Sequence, residues 1–337
     1  MAKTIVGLEL TEESVRGAEI SLSRTPQLIA CGEVPLPPDS AKDSEVIDAG
    51  TIAVALRQLW SGARFKSHDV VLGVASRRIL VREYTTQAMR PDLLREALPY
   101  QVQDLLPVPA SQAVLDFYPL SQQGDQVSGL LVAAVAETIE QIIATLGKVK
   151  LRTRAVDLTA FGLARASARL TPPEQTVATV FIGDHTTQVV VAQGGVPKFV
   201  RVLPLDLPTA AAMRHTPDDA VSELESALEL VPATTRARGA LRGATISPIV
   251  SDLAGRLRST LAFFASRPGA TPVDQLFLCG AGVSVSGVVT ALSASIDAPI
   301  RVITAEDVIG VKAVQPTGDL ANNLVSTIGI ALGEARG

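Results

Sequence analysis

The stretch from Val177 to Leu205 constrains this chain more than any other, because its pattern occurs twice. It reads VATVFIGDHTTQVVVAQGGVPKFVRVLPL. An apolar run, Val177–Ile182, leads into the polar turn Gly183-Asp184-His185-Thr186. A second run, Gln188–Ala192, then Gly194-Gly195 and a third run, Phe199–Leu203, follow. Short β-branched runs divided by Gly and Asp predict a three-stranded meander with tight hairpins. Thr4–Pro37 has the same order of runs and turns, and Pro26-Gln27-Leu28-Ile29 stands where Pro197-Lys198-Phe199-Val200 stands in the later copy. Two copies roughly half a chain apart predict two like domains facing each other, with any site between them.

A chain of 337 residues is long enough for two or more domains, each with its own core. Apolar residues make up 47% and charged ones 19%, a rather hydrophobic balance. No window reaches the length of apolar sequence that a membrane span needs, and Glu9 comes too early for a secretory leader. A cytoplasmic protein is expected. The only cysteines, Cys31 and Cys279, lie in apolar runs and read as buried thiols. A net charge of −4 argues against nucleic acid as the main partner. His68, His185 and His215 are isolated, so no metal site is expected.

Between the copies, Thr51–Ser61 has helical spacing, and Val70–Ala75 and Ile79–Tyr84 read as strands. From residue 85 to 151 the rhythm changes. Pro91–Leu106 starts as a helix that Pro99 should kink or split, and Pro107-Val108-Pro109 stops it. Strands Val114–Leu120 and Val127–Val135, helix Glu137–Lys148 and strand Thr153–Val156 follow. This is an α+β subdomain inserted in the first domain, to which a helix over Asp157–Leu170 should return, with Asp157 as its N-cap. The expected division is 1–84 plus 152–172 for the first domain, 85–151 for the insertion, and 173–320 for the second domain. The second domain carries a small insertion at about 206–245, and residues 321–337 close the chain as a helix. Within it, a helix from Thr216 to Leu230, a long helix Ser247–Ser266, strand Val273–Cys279 and helix Ser286–Ile296 are expected. Gly280-Ala281-Gly282 joins that strand to that helix, a turn that serves equally for backbone contact with a nucleotide or for close helix–strand packing.

The accumulated pattern resembles the actin-like ATPase superfamily and, within it, the FtsA-like PilM family of type IV pilus assembly. VGLELTEESVRGAEI (Val6–Ile20) looks like the family's first phosphate loop, and VFIGDHTTQVVVAQGG (Val180–Gly195) like its second. LREALPYQVQDLLPVPASQAVLDFYPL (Leu94–Leu120) is similar to the inserted subdomain, FLCGAGVSVSGVVTAL (Phe277–Leu292) to the adenosine motif, and ANNLVSTIGIALGEAR (Ala321–Arg336) to the closing helix. The resemblance implies an α/β, actin-like ATPase fold: two ribonuclease-H-like domains and an inserted α+β subdomain in the first. It also implies ATP and Mg²⁺ as cofactors, held by Glu9, Thr11, Ser14, Gly183, Asp184, Thr186, Thr187, Gly280, Gly282 and Ser284.

The chain departs from that pattern at both loops. Glu9 replaces the family's Asp, and Thr11-Glu12-Glu13-Ser14 replaces small residues. One carboxylate facing a phosphate at ~4 Å costs on the order of 4 kcal/mol at an effective dielectric near 20. Phe181-Ile182-Gly183 stands where the family has Asp-Ile-Gly, so the metal-side carboxylate is gone. The alternatives are a degenerate, structural cleft and a nucleotide-binding one, with weak ATPase at most. Glu12 and Glu13 read as a solvated loop, and His185 as a solvated turn residue.

The role the resemblance implies is a cytoplasmic scaffold, peripheral to the inner face of the cell membrane. It would bind the N-terminal peptide of a PilN-like bitopic membrane protein and contact other pilus assembly components. No catalytic residue is assigned. The expected partner groove lies between the first domain and the insertion, walled by Ile79, Val81, Leu94, Leu98, Leu105 and Leu115. An ATP-binding actin-like ATPase, or a sugar-kinase-like enzyme, is the alternative.

Overall fold

The computed structural model describes residues 3–215, 247–312 and 315–336. The helix expected over Thr216–Leu230, and most of the small insertion, lie outside the described residues.

The first meander is β1 (Thr4–Leu10), β2 (Ser14–Ser21) and β3 (Gln27–Pro35), each antiparallel to the next. Helix α1 (Ala49–Ala63) follows; the Asp48 carboxylate accepts from the N–H groups of Gly50 and Thr51, and Arg64 ends the helix in the left-handed region. Strand β4 (Asp69–Val74) then pairs parallel with β1. β1, β2 and β4 are almost wholly buried, as strands of a sheet covered on both faces are. β2 also buries the polar residues Ser14, Arg16, Ser21 and Glu19. Glu19 accepts from Thr4 Oγ1 (2.6 Å) and from the N–H groups of Lys66 and Ser67 in the α1–β4 turn, so its carboxylate is paired where it is buried.

The inserted unit comes next. Strand β5 (Leu80–Gln87), helix α2 (Pro91–Gln101), strands β6 (Ala113–Gln123) and β7 (Gln126–Val135), and helix α3 (Ala136–Lys148) build it. Its sheet has the order β5-β7-β6, all antiparallel. The strand expected over Ile79–Tyr84 thus belongs to the inserted sheet, because it pairs with β7. Helix α2 runs through Pro99 and ends two residues later at Gln101, short of the expected Leu106; Pro99 has no N–H to give to the preceding turn. A single turn, Gln103–Leu105, continues it. Leu98, Val102 and Leu131 form the insertion's own small core, while Ile139, Ile142 and Leu146 of α3 join the main one.

The chain returns through β8 (Arg152–Leu158), parallel to β4, and α4 (Thr159–Ser167). Asp157 lies inside β8 and pairs with Arg165 of α4; it is not the N-cap expected of it. The second meander is β9 (Thr176–Ile182), β10 (Thr186–Gln193) and β11 (Val196–Pro204). Helix α5 (Pro248–Ala265), β12 (Gln275–Cys279), α6 (Val288–Ser295), β13 (Ile300–Val302), β14 (Gly310–Val311) and α7 (Gly318–Ala331) complete the chain. The two large sheets have the orders β8-β4-β1-β2-β3-β14 and β11-β10-β9-β12-β13. β3-β2-β1-β4-β8 and β11-β10-β9-β12-β13 are the same topology twice, with β1 and β9 in equivalent central places.

The helices between them are exchanged. α4 follows a first-domain strand yet packs on β10 and β11, whereas α7 leaves the second domain and packs on β1, β2 and β4. The expectation that the helix after β8 returns to its parent domain therefore does not hold. The two helices cross at Gly162 and Gly329, where a Cβ on Gly329 would stand 2.0 Å from the Gly162 carbonyl oxygen. Arg165 fastens the crossing, donating from Nε to Gly329 O at 2.9 Å.

Gly329→Ala is expected to force these backbones apart and to lower stability by about 1–3 kcal/mol or more. The change in urea midpoint at constant m-value measures it.

Candidate functional site

Two tight hairpins face each other across the cleft between the large sheets. The β1–β2 hairpin carries Thr11, Glu12 and Glu13. Thr11 N donates to Ser14 O (2.9 Å), Ser14 N to Thr11 Oγ1 (3.0 Å), and Ser14 Oγ to Glu33 (2.6 Å). The β9–β10 hairpin carries Gly183, Asp184 and His185, and Gly183 N donates to Thr186 O at 3.0 Å. Each turn thus spends donors on itself, and a bound anion would have to find others.

Behind the hairpins, Arg16 and Glu9 form a buried ion pair, with Arg16 Nε and NH2 both 2.8 Å from Glu9 Oε2. Their side chains are only 5% and 3% exposed. The guanidinium also lies 5.3 Å from the centre of the Phe181 ring, on the second domain. Phe181 stands where the resemblance puts a metal-side Asp, and here it takes the face of a cation. Burial alone would lower the Arg16 pKa, but Glu9 and Glu33 beside it hold it above the usual value.

His185 joins the hairpins. Its Nε2 lies 2.8 Å from Glu13 Oε1 and its Nδ1 2.9 Å from Asp206 Oδ1, with Glu12 at 3.7 Å. The hydrogen bond to Glu13 is the main reason its pKa is raised, to about 9, against the opposing effect of burial. The imidazole is therefore a cation at neutral pH, with an N–H on each nitrogen to give. Glu13 is buried and Glu12 accepts from Asp43 N at 2.9 Å. Neither glutamate is a solvated loop residue, and His185 is not a solvated turn residue. Sequence alone places each in a polar turn; only the meeting of the two turns pairs them. Arg77 with Asp43, and Thr159 with Gln188 (2.6 Å), complete the polar lining.

The glycine turn after β12 packs rather than opens. A Cβ on Gly280 would stand 2.4 Å from Ile182 O, and one on Gly282 2.2 Å from Ile182 Cγ2. Gly280 N donates to Asn322 O (3.0 Å) and Ala281 N to Asn323 Oδ1 (2.8 Å), so the start of α7 holds these groups. Ser284 bonds Asp319 at 2.6 Å.

Of the residues expected at a nucleotide, Thr11, Gly183, Asp184 and Thr186 line one shared cavity together with Glu12, Arg16, His185 and Gln188. Glu9, Ser14 and Thr187 are buried, Gly280 and Ser284 are bonded to α7, and Gly282 packs on Ile182. The cavity is about 50 Å³, against roughly 300–1,000 Å³ for sites that enclose a ligand of nucleotide size. Its carboxylates are already paired with Arg16, Arg77 and His185. Among the described residues no group of three or more His, Cys, Asp or Glu side chains is arranged to hold a metal. In this arrangement the cleft does not fit ATP with Mg²⁺.

A larger groove lies on the inserted subdomain. It measures about 530 Å³ and runs between α2 and the outer half of β6. Leu94 and Leu98 line one wall and Leu115, Phe117 and Leu120 the other, with Gln87, Met89 and Val127 at one end. Leu94, Leu98 and Leu115 of the expected wall are therefore brought together. Ile79 and Val81 pack instead on the main core, and Leu105 is exposed outside the groove. The groove belongs to the insertion itself, not to its seam with the first domain. Among the described residues β6 is an edge strand, hydrogen-bonded only to β7. A bulge between Pro119 and Ser121 interrupts its ladder.

The sequence model of the family described as type IV pilus assembly protein PilM matches residues 7–204, more than half of the chain. The chain belongs to the PilM family. Among solved structures, that of a PilM–PilN type IV pilus biogenesis complex contains a chain of TM-score 0.80 and 21% identity, with 98% of each chain covered. The ethanolamine utilization protein EutJ of Carboxydothermus hydrogenoformans is similar at TM-score 0.53 and 14% identity, over 98% of this chain and 90% of that one. A Bacteroides thetaiotaomicron protein with an actin-like ATPase fold is similar at TM-score 0.50 and 8% identity, over 98% and 96%. This PilM-family chain has the actin-like ATPase fold, with the inserted α+β unit beside its first domain. Among the described residues no helix is long and apolar enough to cross a membrane.

Replacing Arg16 by Met leaves the Glu9 carboxylate buried and unpaired, and is expected to cost about 3–5 kcal/mol. The double variant Glu9→Leu, Arg16→Met should recover most of the loss. Urea unfolding of the four proteins of this cycle checks both statements.

Proposed function

We propose that this chain is a scaffold of a type IV pilus assembly machine, and that the groove on its inserted subdomain receives the N-terminal cytoplasmic peptide of a PilN-like membrane protein. The groove between α2 and β6 carries the reading. It measures about 530 Å³, has Leu94, Leu98, Leu115 and Phe117 in its lining, and lies on the unit whose sheet ends in β6. The similar solved chain comes from a complex of PilM with PilN, which supports the choice of partner.

An extended peptide laid along β6 would place alternate apolar side chains against Leu94, Leu115 and Leu120. Side chains supply the affinity in this reading more than strand addition does. Phe117 N, one of the donors along β6, is already taken by the Asp116 carboxylate at 2.8 Å. Arg95 and Asp116 at the rim would set the direction of the peptide. Through that contact the protein sits at the inner face of the membrane, in reach of other assembly components. The nucleotide cleft is structural in the same reading, with no catalytic turnover, because its space and its charges are committed to ion pairs.

Leu94 and Leu115 are half-buried, so the double variant Leu94→Ser, Leu115→Ser should fold. It is expected to weaken binding of the labelled PilN-like N-terminal peptide about tenfold or more, read by fluorescence anisotropy. Unchanged binding would move the site elsewhere. Millimolar Mg-ATP is expected to leave the melting temperature of the wild-type protein unchanged.

A further inference from the structure

We propose that His185 is the centre of an internal latch that holds the two large domains closed across the cleft, where a nucleotide would otherwise join them. The proposal rests on the structural reading of that cleft and adds the group that does the closing.

The geometry is specific. His185 projects from the β9–β10 hairpin of the second domain, and Glu13 from the β1–β2 hairpin of the first, and the two meet at 2.8 Å. On its other nitrogen His185 meets Asp206 at 2.9 Å, which lies just beyond β11 in its own domain. The hairpin is braced from behind: Leu205 N donates to His185 O (3.1 Å), Leu207 N to Asp184 O (2.7 Å), and Thr209 Oγ1 to the Asp184 carboxylate. The imidazole is thus fixed in its own domain by one ring nitrogen and reaches the other domain by the second.

The two arms differ in weight. The Asp206 side chain is 84% exposed and its ion pair is screened by water and salt, whereas the Glu13 side chain is only 5% exposed. The cross-cleft arm is therefore the stronger one. Glu12 on the first hairpin and Asp184 beside His185 on the second add negative charge to the cleft. Among the described residues the other cations nearby are Arg16, engaged by Glu9, and Arg77, engaged by Asp43.

The imidazole titrates near 9 in the folded protein, above its ordinary 6.5. A raised folded-state value means that the latch contributes fully below about pH 6.5 and is lost as pH rises through about 9.

The test compares thermal melts of the full-length wild type, His185→Gln and Glu13→Gln between pH 6.5 and about 9.5. The wild-type melting temperature is expected to fall by a few degrees more than that of either variant across this window. Hydrogen exchange at pH 6.5 supplies a second readout, in which His185→Gln should speed exchange of Thr11 N and Leu207 N together, one in each domain. A pH profile of His185→Gln equal to that of the wild type overturns the latch. So does faster exchange confined to the second domain. A rise in the wild-type melting temperature with Mg-ATP would instead overturn the structural reading of the cleft, a separate failure.

Discussion

Two helices that touch backbone to backbone set the geometry of everything else in this molecule. Gly162 of α4 and Gly329 of α7 are the contact, and no side chain larger than hydrogen fits between them. Because each helix packs on the sheet of the opposite domain, the crossing interlocks the two domains as well as joining them. Val177, Phe181 and Phe277 of the second domain lie in one core with Val6, Leu8 and Leu72 of the first. Domains held this tightly bring their equivalent hairpins together with little room between.

A narrow gap lined by carboxylates needs cations, and in this chain the protein provides them. Arg16 answers Glu9, Arg77 answers Asp43, and His185 answers Glu13. Buried pairs of this kind add little net stability compared with apolar residues of the same size, but breaking one is costly. Their effect is positional. They make one mutual placement of the hairpins far better than its neighbours, and they occupy the space that phosphates would use.

The insertion has a different logic. Its α3 is sewn into the main core by Ile139, Ile142 and Leu146, whereas α2 and β6 rest only on the small cluster around Leu98, Val102 and Leu131. In the proposed function the broad groove between α2 and β6 is the surface that takes the partner. Edge strands invite pairing, and this one carries Pro119, a bulge and the Asp116–Phe117 contact, each of which discourages indiscriminate addition of another strand.

The sequence by itself determined the duplicated meander, the place of the insertion and the family. These rest on local signals: β-branched runs broken by Gly and Asp, and turns of fixed spacing. It also exposed the departures at the two loops, since Glu12, Glu13 and Phe181 are visible as residue types. Tertiary structure alone decided what those residues do. Glu13 and His185 are far apart in the chain and nothing local couples them; only the docking of two hairpins does. The same holds for α4, whose small and apolar residues say that it must be buried but not against which sheet, and for Ile79 and Val81, apolar residues that could have lined a groove as well as a core. Periodicity reports how much of an element is buried. Which surface buries it depends on contacts between elements remote in sequence, and those are settled only when the chain closes on itself.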